Sequence, residues 1–120
     1  MGKKILVVDD QMWVMESLVE LLTAMGHNAI GVTSFDEMVE KINEPDWDMV
    51  ITDYDLRNSR YTGQDVLIAF RYTWPKTERI LISGLDREVN PEDGEFISKG
   101  RLDLLLERVG EAEKGGVSAT

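Results

Sequence analysis

Four short apolar runs in this chain each end on a polar residue, and that repetition constrains the fold more than anything else. Ile5-Leu6-Val7-Val8 runs into Asp9-Asp10, and Met49-Val50-Ile51-Thr52 runs into Asp53. Ile80-Leu81-Ile82 ends on Ser83, and Glu95-Phe96-Ile97-Ser98 ends on Lys99. Runs this short, separated by helix-like segments, read as buried strands. Strands of a parallel sheet all finish at one edge. The four endings therefore converge on the crevice where open α/β sheets bind their ligands.

The segments between the runs support that sheet. Val14, Leu18, Leu21, Leu22 and Met25 fall at helical spacing, and Gly26 suits the stop of that helix. A second strand is predicted over Asn28–Val32. Ser34 and Glu37 form a capping-box pair opening a helix that carries Met38, Val39 and Ile42. Pro45-Asp46 breaks the chain before a strand predicted over Trp47–Thr52. After a polar loop from Tyr54 to Gly63, a helix is predicted over Gln64–Tyr72, with Val66, Leu67 and Phe70 inward. Leu85–Gly94 offers at most one or two helical turns, because Pro91 and Gly94 interrupt it. The last helix shows Leu102, Leu105, Leu106 and Val109, and residues 111–120 read as a flexible tail. His27, after a glycine at a helix end, is assigned to the turn rather than to chemistry.

Alternation of strands and helices from end to end predicts a doubly wound α/β domain spanning residues 1–110. Thirteen basic and 23 acidic side chains leave a formal net charge of −10. That balance argues against nucleic acid or an anionic membrane surface as partner, since both call for clustered Lys and Arg. It suits a site for a divalent cation. Cysteine is absent, so disulfides and thiolate metal sites are excluded, and no run approaches membrane-spanning length. A cytoplasmic protein is expected.

The residue types at the strand ends define a chemistry. Asp9 and Asp10 can hold Mg²⁺ through oxygen. Asp53 can share the metal and attack phosphorus to give an aspartyl-phosphate. Lys99 can offset charge on the phosphoryl oxygens, and Ser83 can donate a hydrogen bond to one of them.

This ordered set resembles the receiver domain of two-component response regulators, over about residues 3 to 110. The pieces that carry the resemblance are Lys4 to Asp10, Pro45 to Asp53, Ile80 to Gly84 and Phe96 to Lys99. It implies a flavodoxin-like five-stranded sheet in the order 2-1-3-4-5. It implies Asp53 as phosphoacceptor, and Asp9, Asp10, Asp53 and the backbone carbonyl of Asp55 as Mg²⁺ ligands. Ser83 would be the switch hydroxyl, Lys99 the phosphate partner and Phe96 the aromatic switch residue. The implied donor is a sensor histidine kinase or a phosphotransferase, and the implied output is a protein partner or a phosphorelay. Met12, Trp13 and Met15 follow the acidic pair, and they read either as helix packing with partly exposed surface or as a patch where such a donor docks.

Three features depart from the family pattern. The loop from Asp53 to Gly63 is about two residues longer than usual. Gly100 replaces the Pro that commonly follows the Lys. The interval from Ser83 to Lys99 is short, so the fourth helix is expected to be stunted or missing and the usual output face altered. Two other readings compete. One is a receiver-fold binding module whose output does not depend on phosphorylation. The other is a haloacid-dehalogenase-like phosphatase, which would use Asp53-Tyr54-Asp55 as its Asp-x-Asp motif, although the order of motifs along the chain is wrong for it.

Overall fold

The computed structural model describes residues 2–57 and 59–111. Strands β1 (Lys4–Val8), β2 (Asn28–Val32), β3 (Met49–Asp53), β4 (Glu78–Ser83) and β5 (Glu95–Ser98) form one parallel sheet. Their order is β2-β1-β3-β4-β5, the doubly wound arrangement that the sequence implies. Helices α1 (Met12–Ala24), α2 (Phe35–Lys41), α3 (Gly63–Thr73) and α4 (Leu102–Val109) complete the described elements. No helix among the described residues is long and apolar enough to cross a membrane.

Side chains alternate across the pleat, so each strand feeds two cores. Ile5, Val7, Met49, Ile51, Ile80, Ile82 and Ile97 pack with Leu18 and Leu22 of α1 and with Leu105 and Val109 of α4. On the opposite face Leu6, Val8, Val32 and Val50 pack with Met38 of α2 and with Val66 and Phe70 of α3. Both faces of the central strands are dry, which explains their continuous apolar runs. Register then aligns the strand ends: Val8 lies opposite Thr52, Asp53 opposite Ile82, and Ser83 opposite Ser98. The connections change direction between β1 and β3, and the carboxyl ends of these two strands form the crevice a doubly wound sheet offers to a ligand.

Local chemistry moves several boundaries. β3 begins at Met49 rather than Trp47. The Trp47 carbonyl accepts from the Thr77 hydroxyl at 2.7 Å, and its indole donates to Lys41 O at 3.1 Å, so side chains occupy it before the ladder starts. Ser34 caps α2 as expected, accepting from Glu37 N–H at 3.1 Å. The Glu37 carboxylate, however, accepts from Thr33 N–H at 2.7 Å, one residue earlier than a capping box requires. The full box sits on α3, where Thr62 and Asp65 satisfy each other's ends and start the helix at Gly63. Of the apolar residues that the sequence reading put on α2, Met38 is buried and Val39 is exposed. His27 is buried in its turn. Its Nδ1 accepts from Lys3 N–H at 2.9 Å, so Nε2 carries the proton and donates to Gly110 O at 2.5 Å.

No helix lies between β4 and β5; residues 84–94 cross instead as an extended strap with a single turn at Pro91–Asp93. Polar contacts hold it. Asp93 is buried and accepts from Arg71 of α3 at 2.9 Å and from the Gln64 amide at 3.2 Å. Arg79 of β4 donates to the carbonyls of Asp93 at 2.8 Å and Glu92 at 3.1 Å. Gly94 lets the strap close down, since a Cβ there would lie 2.6 Å from the Arg79 carbonyl oxygen. The tail expected over 111–120 lies outside the described residues apart from Glu111.

Replacing Asp93→Ala removes the side-chain half of this clamp and leaves the sheet untouched. Hydrogen–deuterium exchange is expected to show amides of residues 84–94 exchanging about tenfold faster or more, with β1 and β3 amides protected as before.

Candidate functional site

Sheet register delivers the polar endings to one place. Asp9, at the end of β1, is 1 % exposed; its Oδ1 accepts from Gln11 N–H at 3.0 Å and fixes the first turn of α1. Asp10 follows, and its Oδ2 accepts from the backbone N–H of Arg57 at 3.0 Å. Asp53 ends β3 and is buried. Ligand oxygens of Asp9, Asp10 and Asp53 all lie within 4.8 Å of one another. Lys99, just past β5, reaches across with its Nζ 3.2 Å from Asp53 Oδ1 and 3.5 Å from Asp9 Oδ2. A cavity of about 370 Å³ opens above them, and its lining includes Asp10, Asp53, Asp55, Arg57, Thr62 and Lys99.

Carboxylates this close repel unless a cation joins them, and oxygen donors in such a set match what Mg²⁺ takes. The residues present therefore fit a divalent ion. The expected contributors are brought together with three qualifications. Ser83 is buried at the end of β4, but its Oγ accepts from Leu85 N–H at 3.1 Å, and Gly84 rather than Ser83 lines the cavity. Phe96 is half-buried on β5, opposite Leu81 in register. The Asp55 side chain is exposed in the loop.

A model of the response regulator receiver domain matches residues 5–112. The chain belongs to this family. Among solved structures it is similar to the response regulator TrrA from Thermotoga maritima, determined in complex with Mg²⁺ and BeF, at 26% identity and a TM-score of 0.78. That alignment covers 89% of this chain and 96% of the other. A response regulator from Burkholderia pseudomallei, determined with a phosphorylated aspartic acid, calcium ion and citrate, aligns at 17% identity and a TM-score of 0.79, covering 91% of this chain and 67% of that one. A receiver domain protein from Methanospirillum hungatei aligns at 20% identity and a TM-score of 0.76, covering 91% and 94%. These last two likenesses concern the fold alone. No curated protein matches the chain.

The electrostatics of this receiver domain follow from its crowding. Burial raises the Asp53 pKa above the ordinary 3.8, Asp9 and Asp10 raise it further, and Lys99 opposes them. Burial works to lower the pKa of Lys99, but Asp9 and Asp53 together carry it above the ordinary 10.5. A carboxyl whose pKa is raised on folding binds its proton more tightly in the native state than in the unfolded chain. Its ionisation therefore removes stability as pH rises from 3.8 through the raised native value, and the loss persists at neutral pH.

Several neighbours of the site carried no signal in the sequence reading. Arg57 lies on the long loop, and its guanidinium Nε is 3.4 Å from Asp10 Oδ2. Arg87 of the strap stacks 3.7 Å above the Tyr54 ring and points its Nε toward Ser83 Oγ at 3.5 Å. None belongs to a motif, and only the folded chain brings them near. Gly63 was taken only as a loop end, yet it opens α3 against the backbone of Asp53. A Cβ there would collide with the Asp53 carbonyl, while the Gly63 N–H donates to Tyr54 O at 2.8 Å.

Two outcomes follow from this geometry. Without metal, Asp53→Asn is expected to raise the melting temperature at pH 7 by a few degrees, and added Mg²⁺ should raise that of the wild type more than that of the variant. Gly63→Ala is expected to cost about 1–3 kcal/mol in denaturant unfolding, because backbone rather than a flexible side chain must yield.

Proposed function

We propose that Asp53 is the phosphoacceptor of this receiver and that Asp9, Asp10 and Asp53, with the backbone carbonyl of Asp55, hold Mg²⁺. The observation that carries this reading is the convergence of three carboxylates within 4.8 Å, with the Lys99 ammonium against two of them. When bound, the metal would share the charge on the transferring phosphoryl oxygens. The chain's own groups do the remainder. An Asp53 carboxylate oxygen attacks phosphorus as the bond to the donor breaks, and the leaving electron pair stays with the donor, a phosphohistidine of a sensor kinase or phosphotransferase. Lys99 stabilises charge on the phosphoryl oxygens. Water then cleaves the acyl phosphate, which returns Asp53 and inorganic phosphate, so the protein turns over nothing beyond its own modification.

The donor protein's surface is placed on the apolar groove of about 270 Å³ between α1 and α4, which includes Trp13, Leu21, Leu102 and Lys99. Trp13 is 72 % exposed at its rim, and the groove shares Lys99 with the acidic cavity. Output to a protein partner is assigned to Ser83 and the strap. A Ser83 hydroxyl drawn toward a phosphoryl oxygen gives up Leu85 N–H and the neighbourhood of Arg87, both of which sit on the strap. In this reading residues 1–110 form the receiver, and it works in the cytoplasm.

Incubation with acetyl phosphate and Mg²⁺, followed by intact-protein mass, tests the chemistry. One added phosphoryl group is expected on the wild type, none on Asp53→Ala and none after chelation of Mg²⁺. Lys99→Ala should slow the gain by about 10²-fold. A wild type that gains no mass and consumes no donor would overturn the reading in favour of a binding module that does not use phosphorylation.

A further inference from the structure

Cations at the acidic site are divided unevenly. Lys99 serves Asp53 and Asp9, but Asp10 lies outside its ion pairs. Among the described residues the cation on Asp10 is Arg57, with Nε 3.4 Å from Oδ2. The same carboxylate oxygen accepts the Arg57 backbone N–H at 3.0 Å, so the loop tethers the guanidinium to the acid it neutralises. The Asp10 side chain is 9 % exposed, whereas that of Arg57 is 70 % exposed. The acid is therefore held in place while the base has solvent to move into. Arg57 also lines a second cleft of about 610 Å³ beside the first, shared with Thr33, Ser34, Asp36 and Tyr61. There Asp36, on the first turn of α2, offers another carboxylate.

We propose that Arg57 is a built-in placeholder for the divalent cation. Its guanidinium occupies Asp10 while no metal is bound and gives that oxygen up when Mg²⁺ arrives, swinging toward the neighbouring cleft. This inference rests on the assignment of Asp9, Asp10 and Asp53 to Mg²⁺. The two cations compete because a guanidinium against Asp10 both claims the lone pairs of one ligand and repels a doubly charged ion a few ångströms away. An exposed ion pair is weak, so the placeholder lowers metal affinity without blocking the site. Arg57 thereby sets the Mg²⁺ concentration at which the receiver becomes competent for phosphorylation. The backbone N–H bond to Asp10 survives any substitution except proline, so the loop keeps its anchor and the side chain can be tested alone.

Mg²⁺ titration by calorimetry, on the full chain and without any phosphodonor, separates the possibilities. Arg57→Ala and Arg57→Gln are expected to bind Mg²⁺ about three- to tenfold more tightly than the wild type. Arg57→Lys, which keeps the charge, should fall nearer the wild type. Raising monovalent salt should narrow the differences. Equal or weaker binding by Arg57→Ala overturns the placeholder and leaves the metal site standing. Absence of Mg²⁺ binding in every protein removes the metal site itself, and the placeholder with it.

Discussion

One ammonium holding two buried carboxylates apart from water is the interaction on which the rest of this receiver depends. Lys99 is delivered by the last strand, Asp9 by the first and Asp53 by the third, so the contact exists only if the whole sheet is in register. Burying like charges side by side opposes folding, and the apolar packing on both faces of the sheet offsets it. The repulsion is concentrated where a divalent cation can relieve it. Stability and chemistry therefore meet at the same atoms.

Much of this was legible in the chain. Asp9, Asp10, Asp53 and Ser83 each end or follow a strand that burial on both faces makes largely apolar, and such strands announce their ends, while Lys99 follows the shorter, half-buried β5. The helix stripes of α1 and α4 placed Leu18, Leu22, Leu105 and Val109 in the core correctly. Positions decided by side-chain contacts between distant segments were not legible. Trp47 looked like strand because it is apolar, but Thr77 and Lys41 claim its polar groups. Val39 is apolar by type yet lies outward by its angle on a short helix. Arg57 and Arg87 are ordinary loop arginines until the fold sets one against Asp10 and the other over Tyr54.

The missing helix shows how a fold can be kept while one layer is changed. Short spacing between Ser83 and Lys99 told that the usual helix would not fit, but composition could not tell what replaced it. The replacement is polar: Arg71, Arg79 and Asp93 do by hydrogen bonds what an amphipathic helix would do by apolar burial. Phe96 is half-buried, and the strap's first residues turn to Ser83. Ser83 and the strap are thus linked directly through the Leu85 N–H and Arg87, with no helix between them.

The His27 imidazole has a consequence of its own. One ring atom binds the backbone of Lys3 and another binds Gly110, so the first and last parts of the described domain are one ring's width apart. Both lie at the edge where the strands begin, a full strand length from the carboxylates where they end. The receiver is thus a closed loop of chain with a single seam. Spliced by that seam into a surface turn of another protein, it would hang like a bead with its acidic mouth facing outward, and its host would need to span only a narrow gap.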